Sequence, residues 1–281
     1  MSEKKSSRTL INLIGIPSLL AIIYAGDTFN QLPIFSIFIG IVLFLGILEI
    51  PIFVKKFNCE PFLPILIIFI AILQVYRHPA ISLDIPYYNL LIGLTLTVMA
   101  IEIFRKKQTP FLNISTILFS FLWLGIMLGS LSSLRNISDL DAGFKITLAL
   151  FLSVWICDTA AFGFGVKFGK RKILPLVSPN KTWIGTMAGL GSSLLFMLLM
   201  YKYDFFPKNV TCLNICILGS ISGVFGQLGD FSESLLKREA GIKDTSSFLM
   251  GHGGVLDRFD SLTFAAPLTF IYCKYFIEIG S

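Results

Sequence analysis

Long apolar runs, broken by short clusters of Lys, Arg, Asp and Glu, set the pattern of this 281-residue chain. About 17 to 21 mostly apolar residues are enough for a helix to cross a bilayer. Nine segments read that way, near 10–26, 33–53, 61–76, 88–104, 112–132, 146–165, 183–201, 211–229 and 261–278. The third is short and reads equally as a tilted or re-entrant piece. The fold expected is an all-α polytopic membrane protein, a bundle of about nine transmembrane helices. Residues 1–145 are expected to supply N-terminal transmembrane helices, and 146–281 a C-terminal transmembrane region with two longer connections, 166–182 and 230–260.

Composition supports the lipid reading. Only 14% of residues are charged against 54% hydrophobic, whereas a soluble domain carries roughly 25% charged residues. Lys4, Lys5 and Arg8 before the apolar run from Leu10 look like the start of a signal peptide. No small-x-small cleavage pattern follows, so a retained first span is expected.

Charge then orients the bundle. With nine crossings and a cytoplasmic N-terminus, 17 of the 23 Lys and Arg residues fall on the cytoplasmic side. Five fall opposite, and Lys274 lies within the last segment. That asymmetry follows the positive-inside rule and places the C-terminus outside. The net charge of +6 is thereby explained by an anionic leaflet, with no nucleic-acid partner. Five cysteines without a CxxC pair or nearby His read as small buried hydrophobes, not as a zinc site.

Two constellations carry chemistry, both in the connections assigned to the cytoplasmic side. The first runs from Asp158 through Lys167, Gly169, Lys170, Arg171 and Lys172 to Ser178-Pro-Asn-Lys181-Thr182-Trp183. A carboxylate inside a span is costly, so Asp158 should face a polar cavity or pair with a Lys. The glycines at 163, 165 and 169 fit neither a dinucleotide fingerprint nor a Walker A loop, because Phe168 and Arg171 break the patterns. The basic cluster suits phosphate or anionic headgroups alike. Ser178 to Thr182 marks a turn into a helix start, a place that favours anions.

The second constellation runs from Gly229-Asp230 through Ser234, Lys237, Arg238, Lys243 and Asp244 to His252-Gly-Gly and Asp257-Arg258-Phe-Asp260. The i, i+3 spacing of Asp257 and Asp260 puts them on one helix face. Carboxylates at two span ends, among Lys and Arg, suggest a cation with a phosphate-bearing ligand, and hard oxygen ligands favour Mg²⁺. Alternatively, Asp257 is a helix-start carboxylate on the macrodipole. His252 lacks a second His for zinc and is read as a phosphate donor or an acid–base group.

Residues 234–260 resemble the signature of the phosphatidate cytidylyltransferase (CDP-diacylglycerol synthase) family. The resemblance is carried by Ser234, Lys237, Arg238, Lys243, Asp244, Ser246, His252, Gly253, Gly254, Asp257, Arg258 and Asp260. Upstream, Asp158, Phe168-Gly169-Lys170 and Ser178-Pro179-x-Lys181-Thr182-Trp183 resemble the same family. Met250, Phe162 and Ile184 depart from it.

The resemblance implies transfer of CMP from CTP to phosphatidate, giving CDP-diacylglycerol and pyrophosphate, in the inner (cytoplasmic) membrane. It implies Mg²⁺ on Asp230 and Asp257, with room for a second cation. Asp260, Lys237 and His252 complete the expected catalytic set. Ser234, Arg238, Lys243, Asp244, Arg258, Ser178, Lys181, Thr182 and Asp158 are the expected substrate contacts. The expected partners are CTP, phosphatidate and membrane lipids, and a homodimer is left open. A related enzyme with another lipid-phosphate acceptor is the nearest alternative. An ion-coupled transporter using Asp158 is disfavoured, because the motifs sit in one half of the chain.

Overall fold

The computed structural model describes residues 2–27, 32–78, 81, 86–137, 140–246 and 253–277, with side chains from residue 14 onward and not at 140. A helix meets each of the nine apolar segments. The first four are α1 (Ser2–Ala25), α2 (Ile34–Val54), α3 (Leu63–Tyr76) and α4 (Tyr87–Arg105). Next, α5 (Pro110–Ser120) continues through a π-helical stretch, Phe121–Leu128, into α6 (Ser130–Arg135). The long α7 (Leu140–Phe168) leads to a hairpin of β1 (Lys172–Leu174) and β2 (Ser178–Thr182). After α8 (Trp183–Lys202), α9 (Cys212–Ser220) passes through a second π stretch, Ile221–Phe225, into α10 (Gly226–Ala240); α11 (Leu256–Phe276) follows.

Among the described residues, six helical stretches are long and apolar enough to cross a membrane: Ile34–Phe57, Tyr87–Arg105, Pro110–Arg135, Asp141–Phe168, Trp183–Lys202 and Cys212–Ala240. The chain is a helical, multi-pass membrane protein. Ile14–Ala25 and Leu63–Tyr76 are shorter apolar helices. The 21 residues of α11 include Asp257, Arg258, Asp260 and Lys274 among apolar ones, which lowers its hydropathy.

Two local features differ from the sequence expectation. The 166–182 connection, expected to end in a simple turn, holds an antiparallel hairpin that pairs Lys172 with Thr182 and Leu174 with Ser178. Pro175 occupies the second position of its turn, where its fixed φ is favourable, and Val177 N–H donates to Leu174 O at 3.2 Å. The 230–260 connection is helical as far as Ala240. Charge does not end a helix; Gly241 does, at φ +76°, the left-handed conformation favoured after a helix C-terminus.

The described chain forms two compact units. One comprises Met1–Ser133 with Glu239–Arg258, the other Leu134–Arg238 with Phe259–Ser281. In the first, Phe35, Leu43, Leu66, Leu94, Ile117 and Leu124 are fully buried. Its π stretch leaves carbonyls without helical partners, and Arg77 donates to those of Gly125 (2.6 Å) and Ile126 (3.1 Å).

In the second unit, α7 packs closely on α8, where Gly165 of α7 faces Gly185, and Gly185 and Gly189 of α8 stand at GxxxG spacing. A Cβ at Gly185 would lie 2.5 Å from Ala161 O, and one at Gly189 3.0 Å from Cys157 Sγ. This contact holds the part of α7 that carries Asp158 against α8, which follows directly on the hairpin that carries Lys181. Gly185→Val is expected to separate α7 from α8 and cost about 1–3 kcal/mol. Thermal unfolding in detergent checks this; an unchanged Tm would show that the close approach is dispensable.

Candidate active site

The chemistry of the second unit gathers around Asp230, in the first turns of α10. Gly229 beside it has no room for a side chain, because a Cβ would collide with Asp260 O and lie 3.2 Å from Ser261 Cα. The glycine thus admits the backbone of α11 alongside α10. The π stretch just upstream frees the Gly223 carbonyl, which accepts from Gln227 Nε2 at 2.6 Å; the same amide also reaches Thr186 O at 3.2 Å. Such π distortions are frequent at functional sites.

Asp230 Oδ2 forms an ion pair with Lys181 Nζ, from β2. The same ammonium lies 4.3 Å from the Phe231 ring centroid, a cation–π distance. Ser234 Oγ, one turn along α10, donates to Asp230 Oδ1 at 3.3 Å. Asp158 and Asp260 lie close enough for their charges to interact with that of Asp230. Lys237 pairs with Glu233 at 3.1 Å, with side chains 10% and 1% exposed. Arg238 Nε donates to Val177 O in the hairpin turn at 3.1 Å. Thr182 caps α8, its Oγ1 accepting from Gly185 N at 3.2 Å.

Among the described residues no three Asp, Glu, His or Cys side chains converge as a ready ligand set. Asp158, Asp230, Glu233 and Asp260 are accompanied in this cluster by two interacting lysines, Lys181 and Lys237. The carboxylate oxygens are hard donors of the kind that Mg²⁺ takes.

The first unit holds the other half of the signature. Asp257, in the first turn of α11, accepts at Oδ2 from Gly254 N (2.7 Å), Thr245 N (3.0 Å) and Thr245 Oγ1 (3.0 Å). Both glycines of the His-Gly-Gly turn are needed here. Gly253 has φ +80°, and a Cβ on Gly254 would collide with Thr245 Oγ1 and the Glu49 carboxylate. Lys243, Asp244 and Arg258 are exposed. His252, expected among the catalytic residues, lies outside the described residues.

The predicted residues therefore divide. Asp158, Ser178, Lys181, Thr182, Asp230, Ser234, Lys237, Arg238 and Asp260 belong to the second unit. Lys243, Asp244, Asp257 and Arg258 belong to the first.

Two residues were missed. Glu49 on α2, 4% exposed, accepts from Thr245 Oγ1 (2.8 Å), Ser246 Oγ (2.8 Å), Val255 N (2.8 Å) and Leu256 N (3.1 Å). Its signal was available, as a lone carboxylate in an otherwise apolar span. Glu233 was legible through its i, i+4 spacing to Lys237. Removing one member of a buried pair strands the other charge and costs about 3–5 kcal/mol, whereas removing both is far milder. Glu233→Ala should therefore lower stability by that order, and Lys237→Met in the same chain should recover most of it. Unfolding of the single and double variants checks the coupling; additive losses would deny it.

Residues 6–276 match the sequence profile described as the Cytidylyltransferase family. The phosphatidate cytidylyltransferase of Staphylococcus aureus (strain COL) is 37% identical over 199 residues, covering 71% of this chain and 74% of that protein. Those of Staphylococcus saprophyticus subsp. saprophyticus and Staphylococcus haemolyticus (strain JCSC1435) are each 38% identical over 178 residues, covering 63% of this chain and 66% of the relative. With its profile matched almost end to end and a relative 37% identical over most of both chains, the chain belongs to the cytidylyltransferase family.

Proposed function

We propose that this chain is a CTP:phosphatidate cytidylyltransferase acting at the cytoplasmic face of the inner membrane. The observation that carries the reading is the cluster of Lys181, Asp230, Ser234 and Lys237 in a member of this family. A phosphate oxygen of phosphatidate attacks the α-phosphorus of CTP and forms a new P–O bond. The bond from that phosphorus to the oxygen bridging the β-phosphate breaks, and pyrophosphate leaves with the electron pair. Such a transfer needs positioning and charge neutralisation more than a protein nucleophile.

The chain's own cations suit that task. Lys181 and Lys237 are held by carboxylates, so their ammoniums are oriented before any phosphate arrives. Arg238, Lys243 and Arg258 offer further donors to the triphosphate or the lipid phosphate, with His252 as a hydrogen-bond or proton donor. Ser178, Thr182, Ser234, Asp244 and Asp158 stand with them as substrate-side polar groups, and Asp260 as a supporting carboxylate. Asp230, and Asp257 by the family resemblance, would hold Mg²⁺, with room for a second cation. Bound there, Mg²⁺ would neutralise phosphate charge and help order the triphosphate. Nine crossings, an inside N-terminus and an outside C-terminus agree with the distribution of basic residues and with a cytosolic nucleotide.

Purified protein in detergent, given CTP, phosphatidate and Mg²⁺, is expected to release CDP-diacylglycerol and pyrophosphate in equal amounts. Folded protein that makes neither, across several metals and detergents, would sink the reading. Asp257→Asn is expected to abolish turnover with membrane insertion intact. Lys181→Met should lower kcat by about 100-fold or more, the order lost with one preorganised donor to developing charge. Near-normal kcat in either variant removes that residue from the site.

A further inference from the structure

We infer that Glu49, from a helix far from the signature in sequence, is a positioning residue for the transfer reaction, acting through Thr245 and the start of α11 on Asp257. The inference rests on the function proposed above. It begins with a cost. Glu49 is the one ionisable residue in the 21 residues of α2 and is 4% exposed. A carboxylate placed there is retained only where donors compensate it.

Donors meet both of its oxygens. An ionised carboxylate offers about four acceptor positions, and Glu49 receives four hydrogen bonds, one hydroxyl and one amide on each oxygen. Oε1 takes Ser246 Oγ and Val255 N; Oε2 takes Thr245 Oγ1 and Leu256 N. These donors lie 196 to 207 residues away in sequence. The two amides belong to the opening of α11, where the first N–H groups have no helical partner and the dipole favours an anion. Glu49 thus caps α11 from another helix. One turn earlier on α2, Gly46 leaves space for the Leu256 side chain, whose Cδ2 would lie 2.8 Å from an added Cβ.

The link to the reaction is Thr245. Its hydroxyl lies 2.8 Å from Glu49 Oε2 and 3.0 Å from Asp257 Oδ2. A hydroxyl has one proton, so the two carboxylates share a donor and are coupled through it. Thr245 N and Gly254 N supply the other contacts to Asp257 Oδ2. Holding residues 245–246 and 255–256 together therefore fixes the donors that orient Asp257. Glutamine at 49 keeps the size but turns one acceptor oxygen into an NH₂, which cannot accept from the hydroxyl and amide on that side. Aspartate keeps the charge and falls one methylene short.

Four full-length proteins test this in detergent: wild type, Glu49→Gln, Glu49→Asp and Leu43→Ala, the last a packing loss on the same helix. Kinetics are scaled to folded protein, and amide exchange is followed at Val255 and Leu256. The expected result for Glu49→Gln is a kcat lower by about 10- to 100-fold, the order set by losing hydrogen bonds to a charged group. KM for CTP should change by no more than about threefold, and exchange at both amides should accelerate about tenfold or more. Glu49→Asp should recover part of both effects, and Leu43→Ala should show neither. Unchanged kcat in folded Glu49→Gln overturns the inference, whatever the exchange does, and so does unchanged exchange at both amides. Wild type without turnover removes the proposed function instead. The exchange arm then decides alone, with faster exchange keeping Glu49 as the anchor of α11 and unchanged exchange ending the idea.

Discussion

In a chain this apolar, each buried charge needs either an opposite charge or a full set of donors. Glu49 has four donors, Lys237 has Glu233, and Asp230 has Lys181 with Ser234. The Glu49 donors and the Lys181–Asp230 pair bring together segments that hydropathy alone would leave unrelated, whereas Lys237 and Glu233 meet within α10. Apolar burial makes the helices but is nearly indifferent to their rotation and depth, whereas a carboxylate with fixed donors is not. The polar contacts therefore set the registers on which the chemistry depends.

Close backbone approach does complementary work. Gly185 and Gly189 bring α8 to α7, and Gly229 lets α11 run beside the start of α10. With side chains at these positions, Asp158, Lys181, Asp230 and Asp260 would stand farther apart. The π stretch at Ile221–Phe225 adds a local change of helical phase before Gly229, with the Gln227 amide taking up the freed carbonyl. Small residues and one amide thus determine which faces the charged residues present.

Much of this was legible in the sequence. Hydropathy located the helical segments because length and apolar content are what a span needs. The signature from Ser234 to Asp260 identified the family because its gaps are fixed. The hairpin at 172–182 was hidden, since strands of three and five residues give no usable alternation against a background of Lys and Arg. Its one cue was Pro175 in a turn position. The end of α10 is marked by Gly241 and not by the onset of charge at Asp230, because charged residues continue a helix while a left-handed glycine stops it. Glu49 was overlooked for a different reason. Its cost could be read locally, but its partners lie about 200 residues on, beyond any window of pattern.

The continuity of α10 makes a change of length within this stretch a different kind of event from a substitution. From Gly226 to Ala240 there is no loop in which an extra residue could be absorbed. One inserted residue would turn everything beyond it by about 100° and advance it by about 1.5 Å. Inserted between Asp230 and Ser234, it would swing the hydroxyl off the carboxylate and carry Lys237 round to another face. The spacing of these residues is in effect an angle, and an angle on a continuous helix cannot be altered at one residue without altering it for all that follow.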